Sequence, residues 1–356
     1  MTVTVQKVAV LGAGSWGTAF AKIVADTAEQ QNNGVRTVLW GRNPESMQRC
    51  QKTRINEKYF PGVLLPKNLE FTSNLNVALN DADVVVLAIP AQSLRAQLAE
   101  IIPATSESAI FVSLAKGLEQ GTQMRMSEVI TDVLHECFPT FADDQISARI
   151  SVLSGPNLAK EIVAEQPTAS VIAAHNEETA REIARVCACS YFRPYTGTDI
   201  VGVEIGGLVK NVIALCVGMC AGLGYGDNSK ASVMTRGLAE ISRLALSLGG
   251  QAETMSGLAG MGDLIATCSS TLSRNHTAGV HLAQGVKASE LESVMSQTAE
   301  SVKTAPVVVD LAHRQGIEMP ICEAVVAVLA QHIEPQNLAH KLLDRSLKHE
   351  NSTRSV

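Results

Sequence analysis

The segment "KVAVLGAGSWGTAFA", residues 7–21, constrains the architecture of this chain more than any other. A short strand-like run, Lys7 to Leu11, leads into Gly12-Ala13-Gly14-Ser15-Trp16-Gly17, and a helix-forming stretch follows. A strand that hands over to a helix through G-x-G-x-x-G has the form of a dinucleotide-binding turn. Gly12 permits the tight turn, Gly14 lets the backbone approach a pyrophosphate, and Gly17 lets the helix pack closely on the strand. The helix N-terminus adds N–H groups and the positive end of its dipole. A glycine turn without a ligand is the plainer alternative, and the strand–turn–helix setting argues against it.

The same alternation continues along the chain. Up to about Tyr195, "KVAVLG", "TVLWG", "DVVVLAIP", "AIFVSLA", "RISVLSGP" and "ASVIAA" read as strands. They are nearly continuously apolar, as parallel strands covered on both faces are. Stretches such as "MRMSEVITDVLHECF" and "EETAREIARVCAC" read as helices between them. Alternating β and α units imply a doubly wound sheet. After Asp199 the strand signals stop, and helical patterning runs to about Leu343. The expected fold is an α/β, Rossmann-type doubly wound domain over residues 1–198, followed by an all-α domain over residues 199–356. A chain of 356 residues can build a core for each.

Charge and composition remove several function classes. The net charge is -6, and no dense Lys/Arg run appears, so no nucleic-acid partner is expected. The uncharged run from Val212 to Gly226 is shorter than the ~20 residues a spanning helix needs, so it reads as a core helix with no membrane insertion. The N-terminus runs into a strand with no signal or transit pattern before it, which reads as cytosolic. The eight cysteines include Cys187 with Cys189 and Cys216 with Cys220. Neither pair has a partner pair at zinc spacing, so buried thiols and no metal are expected. The tail "KHENSTRSV" is polar and reads as frayed.

The core helix poses a chemical question. "IGGLVKNVIALCVGMCAGLGYG" places Lys210 and Asn211 in an otherwise apolar stretch. A buried ammonium is so unfavourable that it shifts its pKa or finds partners. Other polar groups stand at strand ends and in glycine-rich turns. "LAKGLE" puts Lys116 beyond one strand, and "LSGPNLAKE" puts Ser154, Gly155 and Asn157 beyond another. In open α/β sheets ligands bind outside the carboxyl ends of the strands, so Lys116 and Asn157 point toward the cofactor crevice. "GLAGMGDLIATCSSTLSRN" holds Asp263, Thr267, Arg274 and Asn275. A plain helix cap at Asp263 and a surface arginine at Arg274 are the bland alternatives. The strand "RTVLW" is followed by Gly41, Arg42 and Asn43, and the first acid, Glu45, lies beyond Pro44. An acid at this strand end suits the ribose hydroxyl of NAD, an arginine the 2′-phosphate of NADP. Arg42 therefore favours NADP(H) and leaves NAD(H) open; its plainer reading is a solvated loop arginine.

"GAGSWGTAFA", "FPGVLLPKNLEFT", "AKGLE", "LSGPNLAKE", "VEIGGLVKNVIALCVGMCAGLGYGDNSKA", "TRGLAE" and "GLAGMGDLIATCSSTLSRN" together resemble the glycerol-3-phosphate dehydrogenases, most closely the soluble bacterial NAD(P)-dependent form. The resemblance runs in order from about Lys7 to about Leu329. V-K-N and S-R-N in their glycine-rich contexts are its most specific parts. It implies interconversion of dihydroxyacetone phosphate and sn-glycerol 3-phosphate for phospholipid synthesis, a cytoplasmic location and a homodimer. It makes Lys210 the catalytic acid/base. Hydride addition to a ketone builds negative charge on oxygen, and burial lowers a lysine's pKa toward the range where it protonates that oxygen. Thr267 and Asp263 orient the lysine or the substrate hydroxyls, and Lys116 adds positive charge near the alkoxide. Arg274, with its planar fork, and Asn275 hold the substrate phosphate. Gly155, Asn157, Asn211 and Ser273 complete the implied substrate site. The implied cofactor contacts are Gly12, Gly14, Ser15, Trp16, Gly17, Arg42, Lys116, Ala159, Arg274, Thr298 and Glu300. Where the family often reads V-E-G, this chain has Ala299-Glu300-Ser301. The loop "AEQQNNGVR" is longer than usual and reads as a surface insertion. Two rivals stay open: another Rossmann 2-hydroxyacid or sugar-acid dehydrogenase, which Arg274 and Asn275 argue against, and a non-catalytic dinucleotide sensor, which would not need Lys210.

Overall fold

The structure is a computed structural model that describes residues 5–295 and 299–338. Eight strands form one sheet: β1 (Lys7–Leu11), β2 (Arg36–Trp40), β3 (Leu69–Thr72), β4 (Val84–Leu87), β5 (Ile110–Ser113), β6 (Ile150–Ser154), β7 (Thr168–Ala174) and β8 (Phe192–Gly197). Their order is β3-β2-β1-β4-β5-β6-β7-β8. The order reverses beside β1, which pairs with β2 on one side and β4 on the other. In such sheets the crevice at the reversal is where a ligand binds, and Gly12 follows directly on β1.

The sheet is buried on both faces, as the apolar strands require. Val8 and Val10 of β1 belong to one apolar cluster and Ala9 and Leu11 to the other, following the period of two along a strand. Two strands were not among those expected. β3 buries only Leu69 and Phe71 and leaves Glu70 and Thr72 half-buried. β8 carries Pro194, which is tolerated only at an edge, and both strands are edges of the sheet. The expectation of parallel strands also needs one correction. Every neighbouring pair is parallel except β6–β7, which is antiparallel. The link between those two holds only a five-residue helix, Ala159–Val163, too little for the usual parallel crossover.

After β8 the described residues contain helices and no strand. By packing, the chain forms two compact units. Among the described residues, the first holds 5–208 and 248–263, and the second holds 209–247, 264–295 and 299–338. The division falls inside the 23-residue helix Ile200–Gly222. That helix is long and apolar enough to cross a membrane, yet the protein buries 83% of its most apolar window. A helix apolar all round is one that is buried all round. In the second unit it meets helix Arg274–Ala283 backbone to backbone: a Cβ on Gly218 would lie 2.1 Å from the His276 carbonyl oxygen. The stretch "AEQQNNGVR" is half helix. Helix Ser15–Gln31 runs through its first four residues, and Asn32 ends it in the left-handed conformation, φ 47°.

Candidate active site

The glycine turn of the first unit separates the work of its three glycines. Gly12 has φ +118°, and a Cβ there would lie 2.3 Å from the Ala88 carbonyl oxygen. A Cβ on Gly17 would lie 1.9 Å from the Gly12 carbonyl oxygen. Gly14 is different: nothing lies within 4 Å of where its Cβ would be, and its φ is an ordinary -77°. Its lack of a side chain leaves room rather than relieving a clash. Gly14 is the N-cap of helix Ser15–Gln31 and offers no side-chain cap. Trp16 Nε1 nearby is buried with no partner. Open space, a helix N-terminus and an orphaned donor fit the pyrophosphate of a dinucleotide. Asn56, 3% exposed, holds the turn from behind. Its Nδ2 donates to the Ala13 carbonyl at 3.2 Å and to Thr18 Oγ1 at 2.9 Å.

At the end of β2, Arg42 is exposed and no acid stands beside it. Asn43 is occupied as a helix cap: its Oδ1 accepts from Ser46 N at 2.7 Å. Glu45 is exposed in the first turn of helix Pro44–Thr53.

A polar cluster sits beyond β5 and β6 in the same unit. Lys116 Nζ donates to Asp263 Oδ2 at 2.7 Å and to the Gly155 carbonyl at 3.3 Å. Ser154 Oγ donates to the same carboxylate oxygen at 3.4 Å. Asp263 is 1% exposed, so this is a buried ion pair and not merely a helix start. Removing one partner of such a pair typically costs about 3–5 kcal/mol. Gly207 makes room for the cluster, since a Cβ there would lie 2.6 Å from Ser154 Oγ. Asn157 Oδ1 accepts from Ser170 Oγ, and its Nδ2 is buried with no partner. The loop that follows Lys116 is pinned on several sides. Gln92 Nε2 donates to the Leu118 carbonyl at 2.7 Å and Gln120 N donates to Gln92 Oε1 at 3.0 Å. Arg95 grips Glu119 with two bonds of 2.8 and 3.0 Å. Farther on, Arg125 donates to half-buried Glu204 at 2.6 Å, which also accepts from Ser127 N at 2.8 Å. Ala159 opens helix Ala159–Val163 and is half-buried against the core.

The second unit builds its cluster on helices. Lys210 and Thr267 are each 5% exposed, and Lys210 Nζ donates to Thr267 Oγ1 at 2.6 Å. Asn275 Nδ2 donates to Asn211 Oδ1 at 2.9 Å. Ser273 caps helix Arg274–Ala283 by accepting from His276 N at 3.3 Å. Arg274 is exposed at the first position of that helix, where its charge adds to the positive end of the dipole. It also lies within electrostatic reach of Glu300, the exposed N-cap of helix Ser301–Arg314. Thr298 lies outside the described residues.

Sequence reading missed Asn56, Gln92, Arg125 and Glu204. For Glu204 a signal existed, because it is a charge at the head of the same apolar helix that drew attention to Lys210. Asn56 and Gln92 had none, since each acts across a long stretch of chain.

Residues 7–180 match the family described as NAD-dependent glycerol-3-phosphate dehydrogenase N-terminus, and residues 199–340 match its C-terminus. The chain is 49% identical over 345 residues to a glycerol-3-phosphate dehydrogenase [NAD(P)+] of Streptomyces coelicolor, covering 97% of this chain and 98% of the relative. It is 48% identical over 344 residues to the protein of that name from Corynebacterium glutamicum, covering 96% and 99%. Among solved structures, glycerol-3-phosphate dehydrogenase of Coxiella burnetii superposes with TM-score 0.84 at 31% identity, covering 96% of this chain and 99% of that one. A ketopantoate reductase of Ralstonia eutropha, at 15% identity and TM-score 0.54 over 94% of this chain and 100% of that one, shares the fold alone. The chain belongs to the NAD(P)-dependent glycerol-3-phosphate dehydrogenase family of oxidoreductases.

Proposed function

We propose that this protein interconverts dihydroxyacetone phosphate and sn-glycerol 3-phosphate, with NADP(H) favoured and NAD(H) also open to it. The observation that carries the reading is the buried Lys210 ammonium 2.6 Å from Thr267 Oγ1. When bound, the reduced nicotinamide supplies the hydride to the carbonyl carbon. Lys210 Nζ gives its proton to the carbonyl oxygen as negative charge builds there, and takes it back in the reverse direction. Thr267 Oγ1 accepts one of the three ammonium N–H bonds and so fixes where the others point. Arg274 and Asn275 hold the substrate phosphate, the guanidinium with its fork and the helix with its N-terminus. Lys116, set by Asp263, contributes a second positive charge to the alkoxide. Gly155, Asn157, Asn211 and Ser273 shape the remainder of the substrate site. Gly12, Gly14, Ser15, Trp16 and Gly17 take the pyrophosphate, Arg42 the 2′-phosphate, and Ala159, Thr298 and Glu300 the remainder of the cofactor. In this reading residues 1–198 form the dinucleotide-binding domain and residues 199–356 the substrate domain. A cytoplasmic homodimer that supplies phospholipid backbones completes the proposal, on the analogy of the family.

The test is direct. Purified protein is given dihydroxyacetone phosphate and NADPH, and nicotinamide absorbance is followed. Oxidation is expected, slower with NADH. No oxidation with either cofactor overturns the reading. Faster turnover of a phosphate-free 2-oxo acid favours the hydroxyacid dehydrogenase rival, and cofactor binding with no turnover of any ketone favours the sensor.

A further inference from the structure

Ser301 opens helix Ser301–Arg314 and is 1% exposed, with no solvent to satisfy its hydroxyl. That hydroxyl donates to Asn275 Oδ1 at 2.6 Å, a length typical of O–H···O bonds. Asn275 in turn donates from Nδ2 to Asn211 Oδ1 at 2.9 Å. The chain of bonds links three helices of the second unit and ends beside two residues of the proposed chemistry. Asn275 follows Arg274, and Asn211 follows Lys210.

An asparagine amide has two orientations of nearly the same shape that exchange a donor for an acceptor. Which one it adopts is set by its hydrogen-bond partners. A serine hydroxyl can donate or accept, so Ser301 holds the place and plane of the Asn275 amide, here with the oxygen toward Ser301 and the NH2 toward Asn211. That NH2 carries two N–H bonds, and Asn211 takes one of them. A phosphorylated ligand needs N–H donors, and an Asn275 amide held in this place offers its second one.

We propose that Ser301 is a positioning residue that holds the Asn275 side chain, against Asn211, where it presents a donor to the phosphorylated substrate. The inference rests on the function proposed above. It assigns Ser301 no contact with substrate, and its effect passes through Asn275.

Ser301→Ala removes the hydroxyl and little else. The KM for dihydroxyacetone phosphate should rise about tenfold, the usual scale for one lost hydrogen bond that leaves a buried acceptor unpaired. The KM for NADPH should stay put, and kcat should change less than KM. The Kd for inorganic phosphate should weaken by a similar factor. In an Asn275→Ala background, Ser301→Ala should add nothing, because contacting residues that act through one another are not additive. A purely structural serine would instead lower thermal stability and add its effect in either background. An unchanged KM and phosphate Kd, an additive double variant, or equal weakening of NADPH overturns the proposal. Ser301→Gly also lacks the hydroxyl and takes the place of the alanine variant if that does not fold. Wild-type protein that does not reduce dihydroxyacetone phosphate overturns the function, and the phosphate titration then still decides on Ser301. Wild-type turnover with no effect of Ser301→Ala overturns the inference alone.

Discussion

In the first unit, the phosphate-binding turn takes its form from backbone. Gly12 and Gly17 pass within 2.3 and 1.9 Å of carbonyl oxygens at the point where a Cβ would stand, and Gly14 borders open space. In the second unit, the Lys210 cluster takes its form from side chains: a lysine on a threonine at 2.6 Å, and an amide on an amide at 2.9 Å, each projecting from a helix. The contrast follows from what each site handles. A pyrophosphate is common to all dinucleotides and is well met by repeated N–H groups and a dipole. A reacting carbonyl needs a proton at one place, which only a titratable side chain supplies. A backbone-built site should therefore fail by losing shape, and a side-chain-built site by losing chemistry while the fold survives.

Lys210→Ala tests the second half of that statement and carries the largest expected effect. It should lower kcat by roughly two to four orders of magnitude, the usual contribution of a general acid or base. The protein should stay folded and bind NADPH as before, since the glycine turn is untouched. Steady-state kinetics beside a cofactor titration checks both. A variant that keeps more than about a tenth of wild-type kcat would remove Lys210 from the acid/base role.

Two glycine variants test the first half. Alanine in a helix is ordinarily better than glycine by about 1 kcal/mol. At Gly17 the sign should reverse, because a Cβ 1.9 Å from the Gly12 oxygen and 2.8 Å from Ala88 Cβ forces the helix off β1. Such overpacking costs roughly 1–3 kcal/mol or more, so Gly17→Ala should lose both stability and NADPH affinity. Gly14→Ala should split the two. It has room and ordinary dihedrals, so thermal stability should hold while NADPH affinity falls. Equal losses of stability in the two variants would mean that Gly14 is structural too.

The second unit also carries a side chain that makes its stability depend on pH. Glu240 is 2% exposed and accepts from Ile321 N at 2.7 Å and Cys322 N at 3.3 Å, at the start of helix Pro320–Leu329. Burial pushes its carboxyl up to about 7, and the two N–H bonds and Arg243 only partly oppose this. A carboxyl raised in the folded state stabilises the protein most when protonated. Its contribution is full below its unfolded pKa, near 4.5, and is lost as pH rises through about 7. The loss amounts to roughly 3 kcal/mol at most. Thermal unfolding between about pH 5 and pH 8 should show a decline that Glu240→Gln flattens, since glutamine resembles the protonated form. If both proteins decline alike, Glu240 is not the group that titrates.

The two regions also differed in how far they could be read from sequence. The central strands announced themselves through runs such as "DVVVLAIP", because a strand covered on both faces has no polar positions to blur it. β3 and β8 escaped because an edge strand needs only one apolar face and tolerates Glu70 or Pro194. Lys210 was legible as a charge in an apolar helix. Glu204, in the same helix, gave the same signal, but its partner Arg125 is 79 residues away and nothing local points to it. Asn56 could not be found at all, since its acceptors are a backbone carbonyl 43 residues off and a hydroxyl 38 residues off. Ser301 stood out only as a departure from the family pattern, and its use became visible with the Asn275 contact. Patterns that repeat along the chain are legible; single contacts that close long loops are not.

Arg42 is the exception that the comparison most needs. The glycine turn meets a pyrophosphate that NADPH and NADH share, so it cannot tell them apart. Discrimination has to come from a side chain near the end of β2. Trp40 is engaged with the Ser73 carbonyl at 3.1 Å and Asn43 with Ser46 N at 2.7 Å. Arg42 is the cation in that segment, and it is exposed. A charge-assisted hydrogen bond is worth roughly 1.5–3 kcal/mol, or about tenfold to hundredfold in affinity. Exposure and salt screening weaken it, so the expected loss for Arg42→Ala is near tenfold in the KM for NADPH. The KM for NADH should hardly move. Raising the salt concentration should shrink the gap between wild type and variant, because it screens the one contact the variant lacks. Equal weakening of both cofactors would show that Arg42 supports the turn and leaves the 2′-phosphate alone. The dinucleotide turn and its surroundings would then meet only what the two cofactors share, and the preference would have to come from another residue.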